Sequence, residues 1–246
     1  MKFCCLFVAS LFLSVIAESQ QLPSTRQSTR SSGDDTLAIN SYSRIMYHNY
    51  DIVNGPEYIV YHKLNHSNPF FQSVTICTGN VYSGGRIYSD YRLIYDIYKD
   101  ELILNYLNPT GYPKLISLNK QFVDSFDIIL NNSNTYRFSN LLFKPEDNMK
   151  DGYYEIMFRG KASLIYKYLK IMSQVNGQDE YFDVIKKYIF INGEYHTINT
   201  LRKLYRLFGD KKVEMKKYTK SLQIISLKKI TDIEILQIFA YYDSLK

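Results

Sequence analysis

Ile189-Phe190-Ile191-Asn192-Gly193-Glu194-Tyr195-His196 is the stretch whose reading decides the fold. Two short runs of strand-forming residues flank Asn-Gly, the dipeptide that most readily supplies the two positive φ angles of a tight hairpin turn. Gly84-Gly85, between Val81-Tyr82-Ser83 and Arg86-Ile87-Tyr88, repeats the arrangement earlier in the chain. Hairpins of this kind predict antiparallel pairing. Leu93 to Ile97, Leu102 to Tyr106, Lys114 to Leu118, Phe122 to Leu130, Tyr136 to Leu141, Tyr153 to Phe158 and Leu164 to Ile171 complete a set of about ten expected strands. Breaks at Asn108-Pro109-Thr110-Gly111, Asn131 to Asn134 and Lys144 to Gly152 separate them. Helical βαβ spacing is lacking, so a parallel sheet is not expected.

Beyond Ile198 the apolar period lengthens from two to about 3.6 residues. Leu201, Leu204, Tyr205 and Phe208 fall on one helical face, with Gly209 where a helix ends. A second helix is expected from Lys211 to about Leu222. A third opens on Thr231-Asp232-Ile233-Glu234, a capping box, and carries Ile235, Ile238, Phe239, Tyr242 and Leu245 on one face. The expected class is α+β: an antiparallel β meander over 41–198, a sandwich or partly closed barrel, followed by a helical segment over 199–246. An outer-membrane barrel fits less well, because the expected strands fall short of the 9 to 11 residues such strands need and the chain ends in helices.

The N-terminus adds a location. Lys2, then the apolar run from Phe3 to Ile16, then small residues up to Ala17, read as a cleaved export signal over 1–17, too short for a comfortable permanent anchor. Residues 18–40 are mostly Ser, Thr, Gln and Gly, a composition that buries too little surface to fold. Cys4 and Cys5 lie within the signal and leave Cys77 as the mature chain's one thiol, expected buried in a strand. No transmembrane span is expected in the mature chain.

Charge is distributed unevenly. Residues 161–246 hold 16 Lys and Arg against 9 Asp and Glu, whereas residues 1–160 hold 14 against 15. Lys211, Lys212, Lys216, Lys217 and Lys220 concentrate that excess on the second helix, where a contact with an anionic surface competes with a plain solvated face. After export, nucleic acid is the least available polyanion. Tyr is abundant, at 24 residues, with no Trp. Tyr58, Tyr61, Tyr82, Tyr88, Tyr91, Tyr95 and Tyr98 could form a stacking row for sugars, or serve only as strand formers with the ring packed and the hydroxyl wet.

Catalytic signals are weak. His62 and His66 stand four apart in a loop-like stretch, so two solvated histidines are expected in place of a metal site, and His48 and His196 are isolated. Cys77 has no sequence-adjacent base, and no G-x-S-x-G elbow occurs. Asp90, Asp96, Glu101, Asp124, Asp127 and Glu155 lie on or near strands, so a pair of carboxylates could in principle assemble.

Asn54-Gly55-Pro56-Glu57-Tyr58, the run Leu93-Ile94-Tyr95-Asp96-Ile97-Tyr98-Lys99-Asp100-Glu101-Leu102, and the ending Leu204 to Leu245 resemble a group of exported proteins of Gram-negative bacteria. In that group a β-rich body precedes a Lys-rich helical tail ending much like Tyr241-Tyr242-Asp243-Ser244-Leu245. The resemblance implies a cell-envelope location and no catalytic residues, since the group has no assigned activity. The expectation is an exported protein, periplasmic, outer-membrane associated or secreted. It would bind or organise an anionic surface, a glycan or an envelope protein, without cofactor, metal or nucleic acid. The rival is a secreted hydrolase using two carboxylates. Tyr88 and Tyr95, with the five lysines, are the candidate binding residues.

Overall fold

The computed structural model describes residues 50–60, 67–73, 76–108, 110–130, 134–144 and 149–245. The export signal, the 18–40 linker, Tyr61, His48, His62 and His66 lie outside the described residues.

Ten strands form one antiparallel sheet: β1 Cys77–Ser83, β2 Arg86–Asp96, β3 Glu101–Leu107, β4 Pro113–Ser117, β5 Ser125–Leu130, β6 Asn134–Leu141, β7 Gly152–Phe158, β8 Ala162–Val175, β9 Gln178–Ile191 and β10 Glu194–Thr197. Their order is β10-β9-β8-β7-β6-β5-β1-β2-β3-β4, and the sheet does not close. Two meanders therefore meet where β5 pairs with the free side of β1, Val81 opposite Phe126. Gly79 permits that junction, because a Cβ there would lie 1.9 Å from the Asp127 carbonyl oxygen.

Both expected hairpins turn as the glycine chemistry requires. Gly84 and Gly85 have φ of 53° and 77°, and Asn192 and Gly193 have 53° and 83°. Three expectations need correction. The strand expected from Phe122 begins only at Ser125, Phe122 itself closing a 3-10 turn over Lys120–Phe122. The strand read as ending at Ile171 continues to Val175, turns at Asn176-Gly177 and returns as the whole of β9, pairing Val175 with Gln178 and Ala162 with Ile191. Likewise Arg86 to Tyr88 and Leu93 to Asp96 belong to one strand, with Asp90 at φ 61° marking the irregularity between them and Ile97 already in the following turn. With 11 residues in β2 and 14 each in β8 and β9, strand length does not argue against a membrane barrel.

Alternation along the strands puts Val81, Leu93, Tyr95, Leu104, Phe126, Phe138, Tyr153 and Leu164 into one core cluster. The sheet bends around it. The Tyr95 and Tyr153 rings lie 5.9 Å apart although β2 and β7 are four strand spacings apart, about 19 Å in a flat sheet. Phe71, on a short 3-10 turn over Phe71–Ser73, packs edge-on against Tyr136, Phe138 and Tyr168 at 5.0 to 5.1 Å. Each such pair adds about 0.5–1.5 kcal/mol beyond area burial.

Helix α1 is a single turn, Tyr50–Val53; α2 is Leu201–Leu207, α3 Lys212–Ser221 and α4 Asp232–Ser244. Thr200 caps α2 by accepting from the Lys203 N–H, and Thr231 with Glu234 completes the capping box of α4. Leu204, Phe208, Met215, Ile235, Ile238 and Phe239 are buried in the same cluster as the strands. The helices thus share the β core, and Phe239 meets Phe158 of β7 at 6.0 Å. Among the described residues, no helix is long and apolar enough to cross a membrane.

Candidate functional site

Two regions bring functional side chains together, and the first is the outer face of α3. Met215 and Thr219 point inward and are buried, which fixes the helix's rotation. Lys217 and Lys220 then project away from the core, while Lys216 and Lys212 follow on the flank nearer to Thr219, all four exposed. Among the described residues none of these four ammonium groups pairs with a carboxylate. Lys211 differs. It is half-buried on the preceding 3-10 turn Gly209–Lys211, and its ammonium lies 3.7 Å from Asp210. Arg202 and Arg206 of α2 are exposed as well.

The tyrosines are placed otherwise than a stacking row requires. Tyr95 is only 2 % exposed and packs in the core, so it presents no face to a sugar. Tyr88 is half-buried and stacks on Tyr91 at 6.1 Å. The recurrent arrangement is a tyrosine hydroxyl donated to a carboxylate. Tyr58 donates to Asp96 at 2.8 Å, Tyr82 to Asp127 at 2.7 Å and Tyr95 to Asp100 at 2.7 Å. Tyr166 donates to Asp232 at 3.1 Å and Tyr168 to Glu155 at 2.6 Å. A hydrogen bond to a charged group contributes about 1.5–3 kcal/mol. These five tyrosines therefore fasten strands, turns and a helix start together.

The second region is a cleft of about 430 Å³ between residues 54–56 and the β2–β3 turn. Asn54, Gly55 and Pro56 line one side, and Lys99, Asp100 and Glu101 another. Gly55 packs so tightly on β4 that a Cβ would fall 1.8 Å from the Ser117 carbonyl oxygen. At the cleft, Asp100 accepts from Lys120 at 2.6 Å and from Tyr95, and pairs with Lys167 at 2.7 Å. Burial alone would push the Asp100 carboxyl up, but the Lys167 and Lys120 charges overcome it and hold it below the usual carboxylate range. Lys167 also donates to the Tyr153 carbonyl at 2.9 Å and lies 4.7 Å from the centre of the Tyr154 ring. Its ammonium is depressed by burial against the opposing pull of Asp100. The Tyr153 hydroxyl and the Asn140 Oδ1 are buried without a hydrogen-bond partner among the described residues. Residue-by-residue reading missed this cluster, whose members lie on three separate parts of the chain.

Most of the strand carboxylates are taken up by structural bonds. Asp96 accepts from the Tyr98 and Lys99 amides, Asp124 from the Gly84 amide and Glu101 from the Ser117 hydroxyl. Asp127 is clasped by both nitrogens of an Arg137 fork at 2.7 and 2.9 Å. Glu155 stands apart: burial pushes its carboxyl up, the Asp232 charge adds to this, and the Tyr168 hydroxyl opposes it. Cys77 lies on β1 as expected but is half-buried, not buried; that partial burial still pushes its thiol up to about 11, and its Sγ donates to the Leu93 carbonyl at 3.3 Å, so it is a neutral group. His196 is 3.4 Å from Glu194 on the β10 edge. Among the described residues no three His, Cys, Asp or Glu side chains gather as a metal site.

No protein family, no curated protein and no solved structure matches this chain.

Proposed function

We propose that the chain is an exported, non-enzymatic protein of the cell envelope that binds an anionic surface or polymer through Lys212, Lys216, Lys217 and Lys220. The observation that carries this reading is a set of four exposed lysines, without a carboxylate partner among the described residues, on a helix that Met215 and Thr219 lock into the core. Charges held on a rigid scaffold lose little entropy on binding, and each Lys near an anionic surface contributes about 1 kcal/mol at physiological salt. The curled sheet, read as a partly closed barrel, is the mount that holds the face outward.

Two measurements test the reading. The exported product should begin near Glu18. At low salt the protein should be retained on dextran sulfate, should elute as salt rises, and should pass through unretained once the four lysines are changed to Gln. Equal retention of that variant would sink the proposal.

A second reading, a hydrolase working through carboxylates, has one observation in its favour: the raised Glu155 carboxyl within electrostatic reach of Asp232. Turnover of envelope glycans that disappears in Glu155→Gln, with folding intact, would favour it.

A further inference from the structure

The outward face of α3 is not purely basic. Val213 is 63 % exposed in the middle of it. At about 100° per residue, with Lys212 at zero, Lys216, Lys220, Val213 and Lys217 fall near 40°, 80°, 100° and 140°. Val213 thus lies between Lys220 and Lys217 on the angular projection, and Glu214, the helix's one acidic residue, falls near 200°, about 60° beyond Lys217 and bordering the basic arc. Just past the helix end Ile225 is 84 % exposed.

Anionic partners differ in what they offer such a face. A sulfated or phosphorylated polymer satisfies the ammonium groups and leaves the valine methyls in water. A bilayer interface satisfies both: the apolar group enters the acyl boundary while lysine stems lie along it and their heads reach the phosphates. We infer that the α3 face docks on an anionic lipid bilayer, with Val213 at the acyl boundary and Lys212, Lys216, Lys217 and Lys220 among the headgroups. This inference rests on the reading of α3 as the anion-binding face. The contact is shallow and reversible, because α3 has ten residues and offers a single apolar side chain within its basic arc.

The chain contains no Trp, so Val213→Trp introduces the protein's one indole at the point of contact. In the full chain, with vesicles of phosphatidylglycerol and phosphatidylcholine, the indole emission should shift to the blue and be quenched by lipids brominated near the headgroup. High salt should reverse the shift, and vesicles of phosphatidylcholine alone should not produce it. Partitioning should fall about fivefold for each lysine changed to Gln. Binding to these vesicles and to dextran sulfate without a blue shift overturns the bilayer inference and leaves the anion-binding reading standing. Binding to neither at low salt overturns both. Because the indole reports only its own surroundings, attachment through the apolar N-terminal run leaves its emission unshifted and counts against the inference.

Discussion

Lys167 Nζ stands 2.7 Å from Asp100 Oδ1, and the two side chains are 8 % and 16 % exposed. The pair joins the β2–β3 turn to the middle of β8, so it clamps the curl of the sheet. Removing one partner strands the other charge. Asp100→Asn should lower stability by about 3–5 kcal/mol in denaturant unfolding, and the double change Asp100→Asn with Lys167→Met should recover much of that loss. A double variant no more stable than the single one would show that the pair is not the clamp.

The same carboxyl sets a pH dependence. Its folded pKa lies below the ordinary value, so the unfolded chain takes up the proton first. The stabilisation is complete above the unfolded carboxylate value, about 4, and is lost as pH falls through the folded one. The stability gap between the parent and Asp100→Asn should therefore be constant near neutrality and narrow on acidification. Unfolding curves at several pH values measure it.

Gly193 at φ 83° follows Asn192 at 53° in the β9–β10 turn. Replacing Gly193 with Val forces a β-branched residue into the left-handed region and should cost a kcal/mol or more. The melting temperature reads this directly. An unchanged value would count against a type I′ turn.

Truncation before Thr231 and neutralisation of the lysines should separate cleanly. Loss of α4 removes Ile235, Ile238 and Phe239 from the core, each a burial of about 1.5–3 kcal/mol, and should leave little folded protein. Four Lys→Gln changes on α3 touch no buried group and should leave the melting temperature within error. Circular dichroism follows both.

Cys77 should be slow to alkylate. With its thiol pushed up to about 11, roughly one molecule in a thousand is thiolate at pH 8. Peptide mapping after iodoacetamide treatment should find Cys77 unmodified in the folded chain and modified in denaturant. Fast reaction in the folded state would contradict the burial.

What was legible in the sequence followed local chemistry. Asn192-Gly193 and Gly84-Gly85 announced their turns because positive φ is a property of those residues, and Thr231 with Glu234 announced a helix start because capping is local too. Asn176-Gly177 carried the same signal, and it was obscured by the charged, weakly alternating run Asp179 to Lys187 beside it. The Asp100 cluster was illegible for another reason. Lys120 and Lys167 reach it only because the sheet curls, and curvature comes from packing across distant strands. The tyrosine count was visible, but each hydroxyl's choice of carboxylate depends on that same curvature.

The helices' share in the strand core bears on the order in which the molecule matures. A nascent chain that has emerged only as far as Thr197 already carries all ten strands, yet Leu204, Phe208, Met215, Ile235, Ile238 and Phe239 are still missing from its interior. The concave side of the sheet is then unroofed, and the favourable burial that offsets chain ordering is incomplete. The ten strands therefore acquire their complete core only once the α4 segment is in place, so the last helix made is the one that finishes the interior of the first strands made.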